Sequence, residues 1–253
     1  MVKATPTNSR APFYGILLLL VVAGAGGIFY SVTGGKPKPI ELPKGTPLPK
    51  AEGYLRGNPD AAITIIEFAD FECPGCGQFA TVTEPDIRTR IVDAGLANFR
   101  YYDFPLSIHA NTMAASLAAS CAADQGKFWE MHDVIFAGQP DWNTQQTSNP
   151  RKFFDKYAGA LGLDMKVYAQ CFDSQKNLPR IEANRNAGNE RGVASTPTLL
   201  IGNKLYSGMM GYDAIKAVVD SMRLAAGVAP VAPPTTSDMT PKTDVKIGGP
   251  KKP

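Results

Sequence analysis

Two cysteines spaced as Cys73-Pro74-Gly75-Cys76 follow directly on the apolar run Ala61-Ala62-Ile63-Thr64-Ile65-Ile66-Glu67-Phe68. Thiols at this spacing, opening a helix at the end of a strand, suit dithiol-disulfide exchange. The short turn lets the sulfurs reach bonding distance, and the helix start adds unpaired N–H groups and a positive dipole end. The first sulfur is therefore favoured as thiolate. Pro74 falls at the first helical position, where its missing N–H costs nothing and its φ is already helical, so Cys73 reads as the N-cap. Cys73 is the expected nucleophile and Cys76 the resolving thiol. Glu67 stands out within the apolar run. A carboxyl group buried there would have a raised pKa and could pass a proton to or from Cys76. The alternatives for Glu67 are a strand end reaching solvent or a pair with Arg100.

A CxxC pair can also be half of a zinc site, which needs two more ligands at knuckle-like spacing. Cys121 and Cys171 stand alone and the only histidines are His109 and His132, so no metal is expected. Neither histidine has a metal-spaced partner or a serine-elbow signature, and both read as structural or surface residues. Trp129 beside Phe128 reads as core, because Phe128, Met131 and Ile135 recur at helical intervals. No flavin or nucleotide motif is present, and the expected redox group is the Cys73-Cys76 disulfide itself.

The elements that must position these residues lie in a region expected over 52–227. A chain of 253 residues, 44% of them hydrophobic, can bury one substantial core and carry appendages. The strand ending at Phe68 is followed by a helix over 74–94, with Phe79, Val82, Ile87 and Ile91 at roughly helical spacing, and by a strand over 97–104. A helical block then runs from about 107 to 192, with helices over 109–123, 127–137, 151–161, 164–172 and 175–191. Strands return at 198–201 and 204–207, joined by the hairpin loop Gly202-Asn203, and a last helix covers 212–226. This order gives an α/β class, a thioredoxin-like fold with an inserted helical domain.

The ends read differently. After a short segment over 1–11, residues 14–32 carry no charge and approach the roughly 20 residues that cross a bilayer. A transmembrane anchor over 12–32 is expected, favoured because the apolar run continues through Ile28-Phe29-Tyr30. The alternative is a cleavable signal with small residues at Ala23-Gly24-Ala25. Either way the bulk of the chain reads as exported, and four cysteines fit an oxidising compartment. Residues 33–51 form a Pro/Lys-rich spacer, and 228–253 read as a disordered tail. The net charge of +3 comes partly from these ends, and without a basic stripe interleaved with aromatics no nucleic-acid partner is expected.

The motifs together resemble the DsbA-like thiol-disulfide oxidoreductases, in their membrane-tethered or secreted branch. The residues that carry the resemblance are Gly57-Asn58-Pro59-Asp60 leading into Glu67-Phe68-Ala69-Asp70-Phe71-Glu72-Cys73-Pro74-Gly75-Cys76, then Asp103-Phe104-Pro105-Leu106, Cys121-Ala122-Ala123-Asp124-Gln125-Gly126-Lys127-Phe128-Trp129, and Gly192-Val193-Ala194-Ser195-Thr196-Pro197-Thr198. The resemblance implies a cis proline at Pro197 opposite the cysteine turn. It also implies a substrate chain pairing with the Thr196 backbone beside Pro74 and Gly75, and Glu67 as the buried acid. A structural disulfide between Cys121 and Cys171 is implied too, each of which could otherwise be a small buried apolar residue. Gly75 departs from the many relatives with His or an aromatic residue there, so Cys73 acidity must come from backbone amides and the helix end.

The implied function is an extracytoplasmic oxidase that donates the Cys73-Cys76 disulfide to exported proteins with free thiols. Its implied reoxidant is a quinone-linked membrane partner of the DsbB or vitamin-K-epoxide-reductase-like kind. The same sulfurs also suit a reductase or isomerase, and a tethered peptide-binding or chaperone module is the reading from another class. The expected place is the bacterial cell envelope, anchored with the domain on the extracytoplasmic side, or secreted or periplasmic after signal cleavage. A monomer is expected.

Overall fold

The computed structural model describes residues 50–227 and, near the N terminus, the helical residues 14–16, 18–20, 22 and 24. Among the described residues no helix is long and apolar enough to cross a membrane. The segment 1–11, most of the expected anchor over 12–32, nearly all of the spacer and the tail over 228–253 lie outside them. The described chain divides into two compact units, residues 50–104 with 181–227, and residues 105–180.

The first unit is built on a five-stranded sheet ordered β1-β3-β2-β4-β5. Its strands are β1 (Tyr54–Arg56), β2 (Thr64–Ala69), β3 (Asn98–Asp103), β4 (Thr198–Ile201) and β5 (Lys204–Ser207). Strands β2 and β3 are parallel, which requires a crossover, and the helical segment after Cys73 supplies it. The other pairs are antiparallel, and Gly202, at φ +64°, turns β4 into β5 as the sequence predicts. Side chains alternate across the strands. Phe68 packs on the rings of Tyr102 and Phe104, at centroid distances of 5.3 and 6.2 Å, while Glu67 lies on the opposite face, paired with Tyr101 and Leu199.

The segment after Cys73 is not the single α-helix the spacing predicts. It runs as α1 (Pro74–Gln78), a π turn (Phe79–Thr83), α2 (Glu84–Ile87) and a second π turn (Arg88–Val92). The Glu84 N–H donates to Phe79 O, and the Asp93 N–H to Arg88 O at 2.8 Å. Each π turn inserts a residue and shifts the phase of every later side chain. Phe79, Ile87 and Ile91 are buried as expected, but Val82 is 66% exposed. Glu84 and Arg88 occupy the inward positions instead.

Helix α8 (Leu178–Asn189) corrects the expected insertion of 107–192, because the helical unit ends at Arg180. Beyond that residue α8 belongs to the sheet unit. A Cβ on Gly188 would stand 2.6 Å from the Phe104 ring and 3.0 Å from Phe68. Only glycine lets the helix approach this closely. Asn184 donates to Asp103 Oδ2 (3.0 Å) and accepts from the Gly53 N–H (3.3 Å), tying α8 to β3 and to the start of β1. Helix α9 (Tyr212–Ala225) closes the unit, with Arg223 donating to Leu96 O at 3.1 Å.

The second unit contains α3 (Thr112–Ala123), α4 (Phe128–Ala137), α5 (Gln139–Trp142), α6 (Arg151–Ala160) and α7 (Met165–Asp173). Trp142 is buried and donates Nε1–H to Ile135 O (2.7 Å). Asp164 caps α7 through the N–H groups of Lys166 and Val167. Cys121 and Cys171 form a disulfide, which removes the reading of two isolated apolar cysteines. His132 is buried against the Phe136 ring at 4.8 Å, with Nδ1 2.8 Å from Asp133 Oδ1, so its place is structural. Trp129, expected in the core, is half-buried against Phe128.

Candidate active site

The β2-to-α1 turn is set by local hydrogen bonds. Asp70 Oδ1 accepts from the Glu72 N–H at 2.7 Å, an Asx turn, and the Cys73 N–H donates to Asp70 O at 3.1 Å. Cys73 has extended dihedrals (φ −69°, ψ 123°) and caps α1, with Pro74 at the first helical position. The Gly77 N–H then bonds Cys73 O at 3.0 Å. One turn on, Cys76 is fully buried and its Sγ accepts from the Asp70 N–H at 3.5 Å. Cys73 is partly exposed, and both cysteines are free thiols. The arrangement separates an accessible sulfur from a sealed one.

The second wall of the site comes from the loop into β4. Thr196-Pro197 is a cis peptide, as the resemblance implied. The Cys73 thiol donates to Thr196 O at 3.4 Å. Gly75 faces the same loop, where a Cβ would lie 3.3 Å from Pro197 Cδ and 3.8 Å from Cys73 Sγ. The loop is held by Thr198 Oγ1 donating to Ser195 O (2.7 Å) and by the Gly208 N–H donating to Pro197 O (2.8 Å). The structure thus assembles Cys73, Pro74, Gly75, Cys76, Thr196 and Pro197 from two distant stretches of chain.

The two sulfurs differ in acidity because they differ in burial and in hydrogen bonding. The Cys73 thiol is lowered to about 5, chiefly by a hydrogen bond from Cys76, against the opposing effect of burial. Thr196 and the Cys76 and Gly75 N–H groups lower it further. Thr196 Oγ1 is buried with no hydrogen-bond partner, so its hydroxyl is available to a Cys73 thiolate. Cys76 is pushed up by burial, then by its bond to Cys73 and the charges of Glu67 and Cys73. At neutral pH the pair is a thiolate above a thiol.

Glu67 sits behind this pair, 1% exposed, with neither carboxyl oxygen hydrogen-bonded. Burial raises its pKa first, and the charge of Glu84 second. The alternative partner, Arg100, donates instead to Glu52 O at 2.7 Å. The sequence did not single out Glu84, Arg88 or Tyr101. Glu84 and Arg88, four residues apart on a helix, look like an ordinary surface pair. Cys121 and Cys171 belong to the helical unit.

A family model described as Thioredoxin matches residues 50–221. The Na(+)/H(+) antiporter NhaA 3 of Salinispora tropica is 31% identical over 73% of this chain, which covers 27% of that protein. The chain thus spans about a quarter of the length of the first curated relatives it matches. Disulfide bond formation protein D of Bacillus subtilis is 24% identical over 70% of this chain and 79% of its own length. Among solved structures, alpha-DsbA1 of Wolbachia pipientis superposes with a TM-score of 0.63 at 23% identity, covering 72% of this chain and 96% of that one. BdbD of Bacillus subtilis gives 0.60 at 22%, covering 69% and 97%. At these identities the structural likeness is one of fold.

Proposed function

The chain belongs to the thioredoxin family, and from that premise we propose that it is a thiol-disulfide oxidoreductase working outside the cytoplasm, most directly as an oxidase. A substrate thiolate attacks Cys73 of the Cys73-Cys76 disulfide, and Cys76 leaves. A second substrate thiol attacks the mixed disulfide, the oxidised substrate departs, and both electrons remain on the reduced pair. The observation that carries the reading is the partly exposed Cys73 beside Thr196 O, with its thiol lowered to about 5, above a buried Cys76. A stable Cys73 thiolate favours the reduced form and makes the disulfide a ready electron acceptor.

Exported proteins with free thiols are the substrates, and a quinone-linked membrane protein of the DsbB or vitamin-K-epoxide-reductase-like kind is the reoxidant. The Cys121-Cys171 disulfide favours an oxidising compartment. The helical residues described near the N terminus include exposed Tyr14, Ile16, Leu18, Leu19 and Leu20, which supports attachment to the cell envelope by that segment. The transport named for the antiporter relatives is not carried over, because the match covers so little of them.

The test is the redox equilibrium of the full chain with glutathione, followed by alkylation and peptide mass analysis that separates the two cysteine pairs. A Cys73-Cys76 potential at or above about −180 mV supports the oxidase, and one near about −270 mV makes the chain a reductase. Absence of exchange at Cys73 and Cys76 overturns both.

A further inference from the structure

The disulfide of the helical unit is bordered by charge. Cys121 in α3 is 1% exposed and Cys171 in α7 is 5% exposed, so a thiolate arriving from solvent meets Cys171 first. Asp124, which follows the last residue of α3, sets its Oδ2 atom 3.6 Å from Cys171 Sγ. A disulfide sulfur carries no hydrogen, so this is a carboxylate oxygen in contact with sulfur and not a hydrogen bond. An acid at a helix C terminus opposes the helix dipole, and helix stability therefore does not account for it. The chain nevertheless holds it there. Gln175 takes φ +53° in the turn after α7, a conformation that helix ends ordinarily leave to glycine, and the Lys176 N–H bonds Cys171 O at 3.1 Å. This turn brings Lys176 Nζ to Asp124 Oδ2 at 2.9 Å and Asn177 Nδ2 to the same oxygen at 3.1 Å. Asn177 Nδ2 also donates to Ser120 O at 3.1 Å and lies 3.6 Å from Cys171 Sγ. Its two N–H groups thus serve the two oxygens better than the sulfur. Asp173, also on α7, is bonded to Arg151 at 2.7 Å.

We propose that Asp124 is a specificity-determining residue for thiol exchange, turning thiolates away from Cys171 and so confining exchange to Cys73 and Cys76, an inference that rests on the redox reading above. Reduction of the Cys121-Cys171 disulfide begins when a thiolate sulfur bonds Cys171 Sγ, the bond to Cys121 breaks, and Cys121 leaves as thiolate. A second thiolate then attacks the sulfur that came from the first. Those two sulfurs depart joined as a disulfide, and both cysteines are left reduced by two electrons. The first of these steps carries a negative sulfur past the Asp124 carboxylate. Even at the dielectric of water, like charges about 4 Å apart disfavour an encounter about fivefold, and at a protein surface by more. Lys176 is the opposing charge. It is largely exposed while Asp124 is mostly covered, so solvent screens the cation more than the acid and the balance at Cys171 is repulsive.

The test is the rate at which small monothiols of different charge reduce Cys121-Cys171 in the oxidised full-length chain, quenched with acid, alkylated and read by peptide mass analysis. Each rate is divided by the reagent's thiolate fraction. The probes are 2-mercaptoethanesulfonate, 2-mercaptoethanol and cysteamine, whose attacking forms carry two, one and no net negative charges. Wild-type chain should react fastest with cysteamine and slowest with the sulfonate. Asp124→Asn keeps an acceptor oxygen for Lys176 and Asn177, and should speed 2-mercaptoethanol about fivefold, the sulfonate more and cysteamine little. Lys176→Met should slow the two anionic forms further, and the mixed disulfide trapped on the way should sit on Cys171. Rates that Asp124→Asn leaves unchanged, or raises equally for all three reagents as local unfolding would, overturn the inference, as does an adduct on Cys121. All of these leave the redox reading intact. Wild-type chain that shows no exchange at Cys73 and Cys76 overturns the redox reading itself, whatever reagent charge does at Cys171.

Discussion

Replacing Cys76 with alanine should raise the pKa of Cys73 in the reduced protein, by an amount set by the bond removed. The Cys73 thiolate owes its position at about 5 first to the hydrogen bond from Cys76. A hydrogen bond to a charged group contributes about 1.5–3 kcal/mol, equivalent to roughly one to two pKa units. Reduced Cys76→Ala chain should therefore titrate at about 6 to 7. It stays below the ordinary thiol because Thr196 and the Gly75 and Cys76 N–H groups still donate. The assay is the thiolate ultraviolet absorbance against pH, with the iodoacetamide rate as a second readout. The wild-type value also links to stability. Its folded value lies below the unfolded one of 9.0, so the stabilisation of reduced protein is complete above about pH 9 and is lost as pH falls through about 5. Four units correspond to at most about 5 kcal/mol, and screening at a half-exposed sulfur cuts this to about 2–3 kcal/mol. The oxidised form lacks this contribution, so the reduced-minus-oxidised difference in unfolding free energy grows across that window. A wild-type midpoint above pH 7, or an unchanged midpoint in Cys76→Ala, would refute the reasoning.

At neutral pH, limited iodoacetamide treatment of reduced chain should label Cys73 and spare the buried Cys76, as read by peptide mass analysis. Equal labelling would contradict the sealed position of Cys76. Replacing both Cys121 and Cys171 with alanine opens a bridge across a sequence separation of 50 and should cost about 4 kcal/mol on the chain-entropy model. Urea unfolding of the oxidised chain measures it, and a loss near zero would count against a structural role. Gly188→Ala must displace the Phe104 ring and should cost about 1–3 kcal/mol; unchanged urea stability would mean that this face of α8 is looser than it stands here.

Much of this was legible in local pattern. The apolar run ending at Phe68 must be a strand, Pro74 must begin a helix, and Gly202-Asn203 must turn a hairpin, because each follows from the conformations the residues themselves permit. Strand β1 and helix α5 escaped because three or four residues show no period. Helix α8 was assigned whole to the insertion, since nothing in its spacing reveals that Gly188 is pressed against Phe104 and Phe68.

The chemistry divides in the same way. Sequence alone determined the pair of thiols, which of them opens the helix, and the candidate acid at Glu67, because spacing and the helix start are properties of neighbouring residues. The tertiary structure decided what is not local. It brought Thr196 O to Cys73 across 123 positions, sealed Cys76, and joined Cys121 to Cys171. It also inserted the π turn that exchanges Val82 for Glu84 and Arg88 at the buried face. Burial and electrostatic potential are sums over all surrounding atoms, so the acidity of each thiol and the proton on Glu67 are fixed only when the distant segments have come together.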